Sequence, residues 1–388
     1  MTTSVERQEQ SPTGYIVEPV TWPERDPAPP LPTEPLIAEA VPQAVRPAPK
    51  PLLKVLMPVI MVAMVLAMVA LMILTSGQLN PMVLIFPMMM GMSVLMMFAP
   101  PEGDDTDEVR RTYLRHLGAL RAKATDHAAM QRRHEWHRHP DPATLWSTLG
   151  TRRMWERTQD DQDCLEIRFG LGVTRLDPAI NVSDSGAPED LDPVCAVSLR
   201  HTIRDVGSVQ SMPVSVQLQA FRFIGLNGAG AHDLARALVV QLLYHHGPEV
   251  VGIKAIGESG WEWLKWVPHT RDPERAAFRI LLVDSVLTNG TESFIDDPQW
   301  TTIINVGAQA STALGQLAED EGLLLHVDKR LHVATAHGAE ELGTPDAVSA
   351  ELAEVFGRRL TAFRRTTTAH ATSSGELLSL LGIDDVEH

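Results

Sequence analysis

The sequence predicts an α/β protein: a pair of apolar helices, one long polar helix, then a mostly parallel sheet with covering helices. Three observations predict it. Two uncharged runs lie near the N-terminus, helical periodicity follows them, and from Trp146 onward short apolar runs alternate with helical segments. The 388 residues leave room for one or two domains with real hydrophobic cores. A formal net charge of -16 argues against a broad nucleic-acid surface, which would need clustered positive charge to displace counterions. The two cysteines, Cys164 and Cys195, form no CxxC pair and sit in no Cys/His cluster at metal-ligand spacing. Reduced thiols in a reducing compartment are expected, with a disulfide as the alternative.

Residues 1–50 are rich in Pro, Glu and Ala and cannot build a core, so they read as an extended cytoplasmic tail. Residues 51–100 carry the two apolar runs, Leu56 to Leu74 and Pro81 to Ala99, neither with a charged residue. At the rise of an α-helix each run nearly spans a hydrocarbon core of about 30 Å. Asn80 and Pro81 suit the N-cap and first position of a second helix, and Thr75 to Asn80 is long enough only for a turn. The expectation is a transmembrane hairpin. A buried core hairpin and a signal peptide are the alternatives. Lys50 and Lys54 before the first run, and Arg110, Arg111 and Arg115 after the second, place both termini in the cytoplasm and the hairpin in the inner membrane. Met57, Met61, Met64, Met68 and Met72 share one helix face, a packing or lipid-facing stripe in preference to a copper path.

Residues 101–145 read as a helical stalk. From Asp105 to His137 the positions Tyr113, Leu117, Leu120, Ala124 and His127 alternate four- and three-residue steps, the spacing of a coiled-coil-like seam. Acidic residues open the helix and basic ones dominate its later turns, complementing its dipole. His139-Pro140-Asp141-Pro142 ends it. His127, His134, His137 and His139 do not share a face and lack carboxylate or cysteine company at ligand spacing, so they read as solvated stalk histidines.

Residues 146–388 look like one α/β region. Strands are expected at Leu165 to Phe169, Val214 to Leu218, Phe221 to Ile224, Val250 to Ile256, Arg279 to Val283, Thr302 to Val306 and Leu323 to Val327. Helices are expected at Ala231 to Tyr244, Ser311 to Glu319 and Pro345 to Phe363.

The most informative chemistry is a phosphate loop without its chemical groups. After the strand ending at Ile224 comes Gly225-Leu226-Asn227-Gly228-Ala229-Gly230-Ala231-His232, then a helix. Gly225 and Gly230 match the spacing of a Walker A loop, GxxxxGK[ST], in a strand–loop–helix context. Ala231 stands where a lysine would reach the β- and γ-phosphates, and His232 where a serine or threonine would hold Mg²⁺. Phe278 to Asp284 has the form of a Walker B strand ending in its acidic residue, and Ser285 follows where a hydrolytic ATPase often has glutamate. The candidate nucleotide-contact positions are therefore Gly225, Gly228, Gly230, Ala231, His232 and Asp284, with catalytic power removed. The fold this implies is a P-loop/RecA-like ATPase module with degenerate nucleotide motifs. An unrelated α/β domain with a Gly-rich turn is the alternative.

Several stretches together resemble the N-terminal portion of EccC, the FtsK/SpoIIIE-type ATPase of type VII (ESX) secretion systems. They are the paired apolar runs, Leu114-Arg115-His116-Leu117, Leu145-Trp146, Met154-Trp155-Glu156-Arg157, Asp163-Cys164-Leu165-Glu166-Ile167-Arg168-Phe169-Gly170-Leu171-Gly172 and Trp263-Leu264-Lys265-Trp266-Val267-Pro268-His269. Cys164 departs from the aromatic residue expected there. The resemblance implies a membrane-embedded motor subunit that joins EccB, EccD, EccE and further EccC copies and exports WXG-motif and PE/PPE proteins. It also implies functional ATPase modules beyond His388, preceded by Leu377 to Asp385 as a lead-in. ATP and Mg²⁺ belong to those modules, and no cofactor is expected in the sequence read here. The expected role is anchoring and coupling of a secretion motor across the inner membrane, with no hydrolysis of its own. The alternatives are an ATPase module completed by partner residues and a DNA-translocating FtsK/SpoIIIE relative, the latter disfavoured by two spans instead of four and by net acidity.

Overall fold

A computed structural model describes residues 18–19, 25–44, 52–76, 89, 92, 106–257, 260–284, 292–309, 311–335 and 337–364. The chain divides into two compact units: residues 34–126 with 178–207, and residues 1–33 with 127–177 and 208–388.

In the smaller unit, strand β2 (Leu36–Ala38) pairs in parallel with β4 (Ile180–Val182). Helix α3 (Pro193–Val206) begins where Asp192 accepts hydrogen bonds from the Val194 and Cys195 amides, with proline at the first helical position. Arg110 donates to the same carboxylate at 2.8 Å. Helix α2 (Thr106–Arg138) supplies residues to both units. Tyr113, Leu117, Leu120, Ala124 and His127 form its buried side.

Helix α1 covers Leu52–Ser76. Among the described residues no helix is long and apolar enough to cross a membrane. The expected transmembrane hairpin is corrected accordingly, and with it the inner-membrane placement and the cytoplasmic assignment of both termini. An apolar run in a sequence meets only one requirement for a span. The other is a helix long and apolar enough to cross the bilayer, and among the described residues none qualifies. Of the second run, only Met89 and Met92 are described, and the rest lies outside the described residues.

The larger unit is built on a nine-stranded sheet in the order β5-β3-β12-β11-β10-β6-β9-β8-β7. One half is parallel: β10 (Leu323–Val327), β6 (Phe223–Asn227), β9 (Thr302–Val306), β8 (Phe278–Asp284) and β7 (Val251–Ile256). The other half is antiparallel: β11 (Leu331–Thr335), β12 (Gly338–Pro345), β3 (Glu166–Arg175) and β5 (Ser208–Gln217). The expectation of a mostly parallel sheet missed β11 and β12. Their alternation is weak because much of that hairpin faces solvent.

Side-chain alternation along the strands separates two cores. On one face Ile224, Leu226, Ile253, Ile280, Leu282 and Ile304 pack with helices α4 (Ala231–His245) and α7 (Ala350–Leu360). On the other Phe223, Leu281, Val283 and Ile303 pack with Leu314 and Ala318 of α6 (Ala313–Asp320). The short helix α5 (Glu292–Ile295) packs Phe294 and Ile295 against this second core. Helix α4 is buried almost throughout, as expected of the helix that follows a central strand.

A buried polar network ties the antiparallel half to α4. Gln241 accepts from the Arg168 amide and donates to the Arg168 carbonyl. The buried Arg168 guanidinium pairs with Asp346 at 2.7 Å. Burial pushes the Asp346 carboxyl up to about 6, against the pull of Arg168. His139 is 1% exposed and His127 5% exposed, so these two are core residues and the solvated reading fails for them.

Candidate functional site

The chain runs from β6 to the far edge strand β7, returns through β8 and β9, and crosses to the opposite flank of β6 as β10. The strand order therefore reverses at β6, and the carboxyl ends of strands at such a reversal are where open α/β sheets form ligand crevices. The glycine turn, Asp284 and the start of α4 all lie at that end. Leu226, Val306 and Asp284 occupy one register row across β6, β9 and β8.

The turn is tighter than its glycine spacing suggests. β6 continues through Asn227, so Gly225 lies within the strand. A Cβ at Gly225 would come within 2.8 Å of Leu324 Cδ1 and 3.0 Å of Ala318 Cβ, so this glycine makes room for α6. The turn itself is Gly228-Ala229-Gly230, and Gly228 takes φ +103°, a conformation that only glycine adopts readily. Three main-chain donors of the turn bond to protein acceptors. The Ala229 amide donates to Asp328 Oδ1 at 3.0 Å, the Gly230 amide to the Val327 carbonyl at 2.8 Å, and the Ala231 amide to the Gly228 carbonyl at 3.2 Å. Asp328 is held in turn by His326 at 2.8 Å. The Ala229 hydrogen bond keeps the Asp328 carboxyl below its ordinary value.

Across β9, the remaining two candidates meet. His232 Nε2 stands 3.3 Å from both carboxylate oxygens of Asp284. The Trp261 indole N–H donates to Asp284 Oδ2 at 3.2 Å. Asp284 is 7% exposed, whereas the His232 side chain is half-exposed. Ala231 is fully buried and carries no group toward the turn. The structure thus gathers Gly228, Gly230, Ala231, His232 and Asp284 at one strand end and leaves Gly225 in the sheet. Asp328, Val327 and Trp261 were not legible as site residues. Nothing in their local sequence marks them, and β10 and the β7–β8 crossover bring them in from a distance. The buried Asn305 on β9, whose Oδ1 has no hydrogen-bond partner, is a further polar group beside this row. Among the described residues no group of three or more His, Cys, Asp or Glu side chains could hold a metal ion. Both cysteines are buried free thiols.

A glycine turn and an acidic strand end thus stand together at the switch point of the parallel half of a mixed α/β sheet. The homologues of this chain are EccC proteins of ESX secretion systems. It is 28% identical over 333 residues to the ESX secretion system protein EccC of Thermomonospora curvata, a match covering 72% of this chain and 25% of that protein. It is 30% identical over 326 residues to the ESX-4 secretion system protein EccC4 of Mycobacterium tuberculosis, covering 79% of this chain and 26% of that protein. The ESX-3 protein EccC3 of the same species is 26% identical over 371 residues, covering 79% of this chain and 27% of its own length. The chain therefore spans about a quarter of the length of the curated relatives it matches. No family model matches. Among solved structures, the cytoplasmic domain of the Thermomonospora curvata type VII secretion ATPase EccC aligns with a TM-score of 0.34 and 11% identity, covering 57% of this chain and 32% of that one. The cytoplasmic domain of EssC aligns with a TM-score of 0.29 and 12% identity, covering 64% and 55%. Neither alignment carries weight for the site.

Proposed function

We propose that this chain is a component of a type VII secretion motor and that its larger unit couples motion without turning over ATP. The homology to EccC proteins supports the first part. One observation carries the second: the Ala229, Gly230 and Ala231 amides already donate to protein acceptors, and Ala231 brings no charge. A P-loop works by offering free amides and a lysine to the phosphates. Here Gly228, Gly230, Ala231, His232 and Asp284 retain the layout of a nucleotide site with three of its turn amides occupied, and Gly225 serves packing. On this reading the partners are other Ecc subunits of an ESX system, EccB, EccD and EccE, and further EccC copies. Exported WXG-motif and PE/PPE proteins would be met through other parts of longer relatives, where ATP and Mg²⁺ also belong.

Calorimetric titration with Mg·ATP and a single-turnover hydrolysis assay test the reading. No binding up to about 1 mM, a concentration that would detect interactions stronger than about 4 kcal/mol, and no turnover above a protein-free control are expected. Binding lost on Asp284→Ala, or turnover alone or with partner subunits, would sink the coupling role. Salt-sensitive binding to duplex DNA would favour a DNA translocator instead.

A further inference from the structure

Between β12 and β3 the sheet is open. β12 runs for eight residues but pairs with β3 only through Thr344 with Leu171 and Pro345 with Gly170. The two strands part where both are irregular. β3 shifts register against β5 between Gly172 and Val173, and β12 shifts against β11 between Glu341 and Gly343. Such irregularities bend a strand and end its pairing. Past them, Gly338 to Glu341 have β11 along one edge. Among the described residues no strand pairs with their other edge. All four residues are exposed, and a Cβ at Gly338 would meet nothing within 4 Å.

Cavities of about 470 and 310 Å³ lie along this wedge and share Val173, Glu341 and Leu342. Val173 is 56% exposed, and Leu342 and Val214 are half-buried, so the wedge offers apolar surface to an incoming side chain. Its charge has one sign. Glu135, Glu166, Glu340 and Glu341 line the larger cavity against a single guanidinium, Arg138, which pairs with Glu166 and lies 3.9 Å from Glu135. Glu340 and Glu341 are successive strand residues and point to opposite faces, so the open edge carries a carboxylate on each. Charge on an exposed edge deters pairing with a copy of itself, because like charges would stand close across the new ladder. The same charge favours a segment of opposite sign.

We infer that the open edge of β12 takes an extended basic segment of a partner polypeptide as an added strand. Its aliphatic side chains lie against Val173, Val214 and Leu342, and its lysine or arginine side chains reach Glu340 and Glu135. Main-chain pairing supplies the affinity, the wedge the side-chain pockets, and the carboxylates the preference for a basic segment. This goes beyond the coupling role and does not depend on whether nucleotide binds at the glycine turn.

The test uses the full chain and a capped synthetic peptide alternating valine and lysine, followed by calorimetry and by amide exchange along β12. Saturable binding with slowed exchange within Gly338 to Glu341 is expected. The same peptide N-methylated at every residue keeps its charge and side chains but loses its main-chain donors, and it should not bind. Glu340→Lys with Val173→Lys changes two exposed side chains and should weaken binding about tenfold. Absence of binding at about 1 mM peptide overturns the proposal. Binding that N-methylation leaves unaltered overturns it too, since charge alone would then hold the peptide. Binding that the double variant leaves unaltered places the site elsewhere and has the same consequence. Concentration-dependent self-association without peptide, removed by the double variant, also overturns it, since the occupant would then be a second copy.

Discussion

Acid should destabilise the larger unit through histidines buried in the neutral form. His246 accepts a hydrogen bond from the Leu165 amide at Nε2, 3.0 Å, and its Nδ1 lies 3.1 Å from the Leu242 carbonyl. The ring therefore needs one protonated and one bare nitrogen, and protonating Nε2 would remove the acceptor that holds Leu165 at φ 59°. Burial, followed by the nearby Arg157 guanidinium, pushes His246 down to about 3. Burial pushes His269 down to about 4, against its bond to the His246 carbonyl. His245, also buried, is lowered well below its ordinary value.

Between pH 6.5 and the depressed folded values, the unfolded chain binds protons that the folded chain does not. Stability is therefore complete above pH 6.5 and falls as the pH drops toward 3. Each depressed histidine costs about 1.4 kcal/mol per pH unit over that range. By about pH 4.5, His246 and His269 together cost about 5 kcal/mol, while Asp346, raised by burial to about 6, offsets about 2 kcal/mol because its folded form gains a proton first. The net loss is a large part of the roughly 5–15 kcal/mol that holds a domain folded.

The assay is urea unfolding at pH 7 and at about pH 4.5, read by tryptophan fluorescence, since the 7 tryptophans among the described residues belong to the larger unit. His246→Gln can still accept from Leu165 and donate to Leu242 but does not titrate. It should lose about 2–3 kcal/mol less than the parent across the same interval. If both proteins lose the same stability within about 0.5 kcal/mol, His246 is not held neutral and the reasoning fails.

Asp346→Ala should cost about 3–5 kcal/mol by leaving the Arg168 guanidinium buried without its carboxylate, measured by the same unfolding curves. Asp346→Asn should cost less, because the side chain keeps an acceptor. Gly228→Ala should cost about 1–3 kcal/mol, since its φ of +103° is strained for alanine and a Cβ would sit 2.5 Å from the Val327 carbonyl. Gly186→Ala, at φ +83° but with open space around it, isolates the backbone contribution from that collision. Asp328→Ala should speed exchange of the Ala229 amide selectively, and an unchanged rate would show that the carboxylate does not hold the turn.

Most of the parallel half of the sheet was legible because its strands are short apolar runs bounded by turns, and burial on both faces demands that composition. The glycine turn with Ala231 and His232 was legible as a pattern because its residues are neighbours in the chain. The apolar runs of residues 51–100 were equally plain, yet they led to a membrane hairpin that the described helices do not supply. Composition records that a segment avoids water, and only the folded chain records what meets it. The sequence by itself determined the α/β class, the alanine and histidine that follow the glycine turn, and the resemblance to EccC, each written in neighbouring residues. Tertiary structure alone decided that Gly225 is a packing residue, that Val327 and Asp328 occupy the turn's amides, and that His232 meets Asp284 across β9. Those outcomes depend on strand order and register, which join residues about 50 to 100 positions apart and which local spacing cannot encode.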